Sequence, residues 1–251
     1  MNYNWNWGIF WELSADAKNT WMMTLVHGLG WTLATAFCAG IIALVVGSVI
    51  GVLRTTPNRW VVRFGNAYVE LFRNIPLLVQ LFLWFFVLPE VLPKAAGDAI
   101  KAMPPPWASF VPAVIGLGLF TSARISEQVR AGIQALPRGQ AMAGTAMGLT
   151  LPQVYRYVLL PMAFRIILPP LTSETMNLIK NTSVALTIGL IELTAAARSM
   201  QEFTFQVFEA FTAATLIYIA VNLVVVNVMR WVEKRVSVPG FIGPQVTGGA
   251  H

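Results

Sequence analysis

From Asn19 to Leu53 the chain contains no Asp, Glu, Lys or Arg, and Ala210 to Met229 is equally free of charge. A helix needs about 20 apolar residues to cross the hydrocarbon core of a bilayer, so each run predicts a membrane-spanning helix. Three less pure apolar stretches, at about 68–88, about 110–131 and about 165–193, predict three more and bring the total to five. Each of these three carries ionisable residues. A charge at mid-membrane costs about 3 kcal/mol or more, so these groups are expected to face a bundle interior. The run 89–112, with Pro104, Pro105 and Pro106, reads as a loop because proline breaks a continuous helix. Residues 198–209 form a second connection on the same side.

Composition agrees with this pattern. Hydrophobic residues make up 56% of the 251 positions and charged residues 11%; mean hydropathy is +0.64, outside the range of an ordinary soluble domain. Residues 1–16 lack a basic start and the first apolar run is too long for a signal peptide, so none is expected. Cys38 is the only cysteine, which excludes an internal disulfide, and two histidines offer no metal site. A pI near 9.8 raises nucleic acid as a partner, but the basic residues follow the membrane and form no soluble face.

Their distribution gives an orientation. With the N-terminus outside, Arg54, Arg59, Arg63, Arg73, Arg130, Arg138, Arg156, Arg165, Arg230, Lys234 and Arg235 fall on the cytoplasmic side. Only Lys18, Lys94, Lys101 and Arg198 fall outside. This is a strong positive-inside bias. Trp5, Trp7, Trp11, Trp21 and Trp107 fall near the outer interface, where aromatic belts sit. The predicted organisation is all-α: an outer segment 1–20, a transmembrane domain 21–236 and a flexible cytoplasmic tail 237–251. The outer segment is either a short interfacial helix with Trp5, Ile9 and Phe10 against lipid or an unstructured terminus. No repeat of 20–50 residues is visible.

One polar interruption stands out, RGQAMAGTAMGLTLPQVYRYVLLPMAFR from Arg138 to Arg165. Ala141, Ala143 and Ala146 favour helix, Gly148 suits the positive φ of a turn, and Thr150 can cap a second helix before Pro152. The spacing resembles the EAA loop of ATP-binding-cassette (ABC) import permeases, which runs E-A-A, three residues, G, nine residues, I-x-L-P. Met142, Ala143 and Gly144 stand at the E-A-A positions, Gly148 at the glycine, and Leu160 and Pro161 at the end; the glutamate and the second alanine are replaced. Further runs resemble the polar amino acid uptake family: ELFRNIPLLVQL from Glu70, SARISEQVRAGIQALPRGQ from Ser122, and LPPLTSETMNLIKNTSVALTIGL from Leu168. TPNR, LPEVLP and MGLTLPQVYRYVLLP make the chain most similar to the glutamate/aspartate members.

The resemblance implies a type I ABC importer fold in the bacterial inner membrane and a coupling loop at about 138–161, with Gln140 in it. It also implies separate ATPase subunits that hydrolyse ATP, a second permease subunit, an outer solute-binding protein and an amino acid substrate. The chain itself is then no enzyme, needs no cofactor and meets membrane lipid but no nucleic acid. No nucleophile–base set or phosphate-binding glycine loop contradicts this.

Within the spans, Arg124 is expected near mid-membrane, where a guanidinium fork can hold a substrate side-chain carboxylate. An ion pair with Glu127 at i+3 is the structural alternative. Glu127 and Arg130 read as intrahelical partners at an inner gate, and Glu70 and Arg73 repeat that spacing. Pro76 is expected to kink its helix, and Gln80 needs a partner inside the bundle; Gln80 and Glu127 are also candidates for the translocation path. Ser173, Glu174, Asn177 and Lys180 recur at helical spacing and are candidates for the translocation path; Thr182 and Ser183 can bond back to the backbone. An ion-coupled secondary transporter using Glu174, Lys180 and Arg124 is the rival reading. Such folds carry inverted repeats, which this chain lacks. Glutamine or basic amino acids are the alternative substrates.

Overall fold

The computed structural model describes residues 3–236 and is helical throughout them, apart from loops and one isolated bridge between Leu13 and Thr20. The tail 237–251 lies outside the described residues. Helix α1 (Trp21–Leu53) starts at Thr20, whose hydroxyl accepts from the Met23 N–H at 3.3 Å. Helix α2 (Arg59–Asn74) starts at Asn58, whose side chain accepts from the Trp60 N–H at 3.0 Å.

The second span departs from expectation. Ile75 is extended, as the residue before a proline must be, and Pro76 opens α3 (Leu77–Phe82). A π-helical stretch (Leu83–Val87) and α4 (Leu88–Val91) continue that arm, which lies at 101° to α2. The expected helix over about 68–88 is therefore two helices, and the kink is close to a right angle. Gln80 explains how the break is tolerated. Its Nε2 donates to the carbonyls of Phe72 at 2.8 Å and Ile75 at 2.9 Å, which α2 leaves unpaired at its end.

The expected loop 89–112 is also partly helical. It holds α5 (Lys94–Lys101), and α6 (Trp107–Gln134) runs through Pro112. After α6 come α7 (Arg138–Ala146) and α8 (Leu151–Val154), a second π-helical stretch (Tyr155–Leu159) and α9 (Leu160–Asn181). A 3-10 turn (Thr182–Ile188) closes that run. Both π stretches end two residues before a proline, Pro89 or Pro161. A proline has no N–H for the carbonyl four residues back, and a wider turn absorbs the loss. Helix α10 (Leu193–Thr204) makes the expected second outer connection helical, and α11 (Val207–Val236) ends the fold.

Among the described residues, four runs are long and apolar enough to span a membrane: α1, α6, Leu151–Ile188 and α11. The bent α2–α4 pair makes a fifth. The central packing is α1 on α6. A Cβ on Gly47 would lie 2.7 Å from the Ser122 carbonyl oxygen, and one on Gly51 2.7 Å from the Val129 Cβ. Only glycine admits that approach, the usual device where helices pack without water to drive them.

The N-terminal segment is anchored. Ile9 and Phe10, in a 3-10 turn (Trp7–Trp11), are buried with Trp21, Leu25, Leu193 and Met200. They pack against protein, which matches neither of the two alternatives, while Trp5, Trp7 and Trp11 remain exposed. The Asn6 N–H donates to Glu209 Oε1 at 2.8 Å, and Tyr3 stacks edge-on against Phe208.

Candidate functional site

The C-terminal ends of α1 and α6 and the helix α2 meet around one carboxylate. Arg54, immediately after α1, is 6% exposed and uses all three of its nitrogens. Nε donates to Asn66 Oδ1 at 2.8 Å, one terminal nitrogen to Ser126 Oγ at 3.3 Å, and the other to Glu127 Oε1 at 3.0 Å. Arg73 donates to the same Glu127 oxygen at 3.1 Å. Arg130 approaches Oε2 at only 4.0 Å. The i, i+3 pairing expected between Glu70 and Arg73 does not form; Arg73 crosses to α6 instead, and Glu127–Arg130 is the weakest of the three contacts. A buried arginine must be paired and hydrogen-bonded to be stable, and Arg54 bonds through each nitrogen, with three of its five N–H groups.

Arg124 sits differently. It lies 17 residues from the start of α6 and 10 from its end, so about 25 Å and about 15 Å along the axis. It is therefore displaced from the helix centre toward the end that leads to α7. Its partner is Glu174 of α9, 3.8 Å away and not Glu127. The Arg124 side chain is 44% exposed and Glu174 14%. The Arg124 guanidinium also lies over the Phe120 ring at 5.2 Å. A single long ion pair leaves most of its donors free for another carboxylate.

The polar stripe on α9 divides. Glu174 borders an otherwise mostly apolar cavity of about 440 Å³ with Thr121, Ile125 and Leu171. Lys180 lines another, of about 520 Å³, with Ser183, Thr194, Tyr218 and Asn222. Ser173 is exposed and Asn177 half-buried. Thr182 and Ser183 bond back to the carbonyls of Ile179 and Lys180, each at 2.7 Å. Gln80 Nε2 is spent on the end of α2, while its Oε1 is buried without a hydrogen-bond partner.

The loop after α6 folds as two short helices. Met147, Gly148 and Leu149 end α7: the Gly148 N–H donates to Thr145 O and the Leu149 N–H to Gly144 O, with Gly148 at φ +84°. That is a Schellman ending, which favours glycine at the left-handed position. Thr150 and Gln153 form a capping box on α8. Gly144 is buried, and a Cβ there would stand 3.1 Å from Val154 Cγ2. A Cβ at this position would need Val154 to give by a few tenths of an ångström. Met142 is 70% exposed, and Met147, Leu151 and Tyr157 are exposed beside Ala143. Gln140 is half-buried, Leu160 half-buried and Pro161 exposed. Tyr155 ties this loop to the end of α1, donating to the Thr55 carbonyl at 2.8 Å.

Two buried acids escaped the sequence reading. Glu192 caps α10, accepting from the N–H groups of Thr194 and Ala195 at 3.0 and 2.8 Å and from Tyr218 at 2.9 Å. An acidic residue just before the run LTAAARSM is a cap signal that could have found it. Glu209 has no comparable signal.

Candidate membrane spans, a two-helix loop and charged groups between the helices are features that a transporter component would need. The chain belongs to the binding-protein-dependent transport system inner membrane component family, whose pattern matches residues 20–238. It is 50% identical over 244 residues to the glutamate/aspartate import permease protein GltJ of Escherichia coli K12, covering 97% of this chain and 99% of that one. It is 33% identical over 206 residues to the probable glutamine ABC transporter permease protein GlnM of Bacillus subtilis, covering 79% and 88%. The crystal structure of an amino acid ABC transporter with histidines superposes with a TM-score of 0.72 at 30% identity, covering 86% of this chain and 95% of that one. The inward-facing MetNI methionine ABC transporter shares the fold, with a TM-score of 0.69 at 22% identity over 86% of this chain and 98% of that one.

Proposed function

We propose that this subunit carries acidic amino acids, glutamate and aspartate, across the inner membrane as part of an ATP-driven importer. Arg124 contacts the substrate's side-chain carboxylate. The observation that carries this reading is the state of Arg124: half-exposed between spans, with one partner at 3.8 Å. The 50% identity to a glutamate/aspartate permease supports it. The translocation path forms with a second permease subunit, ATPase subunits supply the energy, and a solute-binding protein delivers the amino acid to the outer face.

In this reading the N-terminus and residues 1–20 lie outside, and residues 138–161 form the cytoplasmic coupling loop within a transmembrane domain of 21–236. The exposed side chains of Met142, Met147, Leu151 and Tyr157 enter a groove on the ATPase, where an apolar patch replaces the contact of the usual glutamate. Glu127 with Arg54, Arg73 and Arg130 ties α1, α2 and α6 together beside that loop, at the inner gate. ATP binding closes the ATPase pair, draws the coupling helices together and opens the path outward; hydrolysis reverses the movement.

The test is ATP-dependent uptake of labelled glutamate, aspartate, glutamine and arginine into proteoliposomes holding the complete complex. Preference for the two acidic amino acids, lost in Arg124→Ala while ATPase activity persists, is the expected result. Uptake of glutamine or arginine in preference to glutamate overturns the substrate assignment.

A further inference from the structure

A polar cavity of about 390 Å³ opens between the end of α1, α2 and α6, on the side of the coupling loop. That volume lies within the range of about 300–1,000 Å³ usual for ligand pockets. Its lining includes Arg54, Arg73, Arg130, Glu70 and Glu127. These charges do not all satisfy one another. Arg54 is engaged in the wall through each nitrogen, and Arg73 spends one nitrogen on Glu127. Arg130 reaches Glu127 only at 4.0 Å; its Nε is buried without a partner, so its terminal nitrogens are the donors left for a ligand. Glu70 has no ion pair among the described residues, although three arginines line the same cavity.

The cavity thus holds unspent guanidinium donors beside one unspent carboxylate. An α-amino acid carries the complementary set: a carboxylate for Arg73 and Arg130, and an ammonium for Glu70. A simple anion, such as inorganic phosphate or a lipid phosphate, would use the arginines and be repelled by Glu70. An acidic amino acid adds a second carboxylate, which suits the excess of arginine. Arg130 is six residues beyond Arg124 on α6, about 9 Å further along the axis.

We propose that this cavity is a second amino acid site, separate from Arg124, which binds an acidic amino acid on the cytoplasmic side as it leaves or when it accumulates. The proposal rests on the import reading for the identity of its ligand and for the side it faces. An occupant would bridge α2 to α6 and hold the inner gate in the arrangement seen here, so internal glutamate would slow further uptake.

The test uses the complete complex in nanodiscs, without nucleotide or binding protein, and labelled L-glutamate at equilibrium. The probe is compared with glutarate, which keeps both carboxylates but lacks the ammonium, and with inorganic phosphate. In an Arg124→Ala background, L-glutamate binding is expected to persist. Adding Arg130→Gln or Glu70→Gln should weaken it about tenfold, the loss of roughly one charge-assisted hydrogen bond. Glutarate should bind no more weakly to Glu70→Gln than to the protein that keeps Glu70. Glu70 is exposed and Arg130 half-buried, and elution of each variant complex at the wild-type volume verifies assembly. L-glutamate binding that neither substitution changes overturns the proposal. So does phosphate binding as tight as glutamate and indifferent to Glu70, which would make the cavity a plain anion site. Wild-type complex that takes up no acidic amino acid would sink the import reading alone, because the binding measurement stands without transport.

Discussion

Arg54 and Arg124 are both arginines at the junction of helices that pack around α6, yet they are opposites in their surroundings. Arg54 is 6% exposed and bonded through three nitrogens to three side chains on α2 and α6. Arg124 has a side chain 44% exposed and a single ion pair at 3.8 Å. Charge alone therefore does not mark a functional residue within a membrane protein. What separates scaffold from site is how many donors remain unspent and whether a solute can reach them. By that measure Arg54 is scaffold, Arg124 is open to a ligand, and Arg73 and Arg130 stand between them.

The largest expected effect tests the scaffold side. Arg54→Ala leaves Glu127, Asn66 and Ser126 without their shared partner. Three hydrogen bonds go with the buried guanidinium, each contributing about 1 kcal/mol, while Glu127, 35% exposed, keeps Arg73 as a partner. The complex should lose thermal stability or fail to assemble, read by melting and by size-exclusion yield. Arg54→Lys should rescue it only in part, because one ammonium cannot reproduce the fork that reaches three partners. Wild-type stability in Arg54→Ala would erase the contrast with Arg124.

Next comes the ligand side. Arg124→Ala should lower glutamate uptake about tenfold or more, equivalent to about 1.4 kcal/mol in the transport barrier. Its stability should fall less than that of Arg54→Ala, since the contact is a single one at 3.8 Å from a half-exposed Arg124, although Glu174, 14% exposed, loses its ion-pair partner. A melting loss as large as that of Arg54→Ala, with uptake retained per assembled complex, would assign Arg124 to the scaffold as well. Gly148→Ala should reduce uptake less than Arg124→Ala does. No atom obstructs a Cβ there, so its penalty comes only from φ +84°, about 1–2 kcal/mol. Uptake per ATP hydrolysed should fall while ATPase activity stays, because α7 loses its defined ending without loss of the bundle.

How much of this was legible in the sequence follows from the range of each interaction. The uncharged runs of α1 and α11, the two-helix loop and the back-bonding of Thr182 and Ser183 depend on neighbours within a few residues, and pattern exposed them. Glu127 was read as the partner of Arg130 three residues on. In the fold its short contacts come from Arg54 and Arg73, 73 and 54 positions away. Local spacing cannot rank a neighbour on the same helix against a distant residue brought alongside by packing. The same limit applies to Gln80, whose need for a partner was evident but whose partners arise only because Pro76 turns the chain by about a right angle. Arg54 looked like one more positive charge at a membrane boundary, since its burial depends on distant packing, with the glycine seam at Gly47 and Gly51 on one side and Gly65, where a Cβ would lie 2.5 Å from Arg54 Cγ, on the other.

Asp16 sharpens the comparison from its small end, because it is saturated like Arg54 but not buried. Its Oδ1 accepts from the N–H groups of Lys18 and Asn19, each at 3.0 Å, and from Ser14 Oγ at 2.7 Å, while Oδ2 accepts from Asn19 Nδ2 at 2.8 Å. These bonds, the Asn19 and Lys18 amides first, hold its carboxyl well below the ordinary aspartate range. The folded state therefore favours the ionised form. The stabilisation is full above the unfolded aspartate value, near pH 4, and is lost as pH falls further toward the depressed folded value. Solvent competes for every one of these bonds, so the consequence should be local. Hydrogen exchange at the Lys18 and Asn19 amides should quicken in Asp16→Asn at neutral pH, with the melting of the bundle unchanged. If Asp16→Asn instead lowered global stability as much as Arg54→Ala, saturation alone would decide the outcome, and burial would drop out of the distinction between the two arginines.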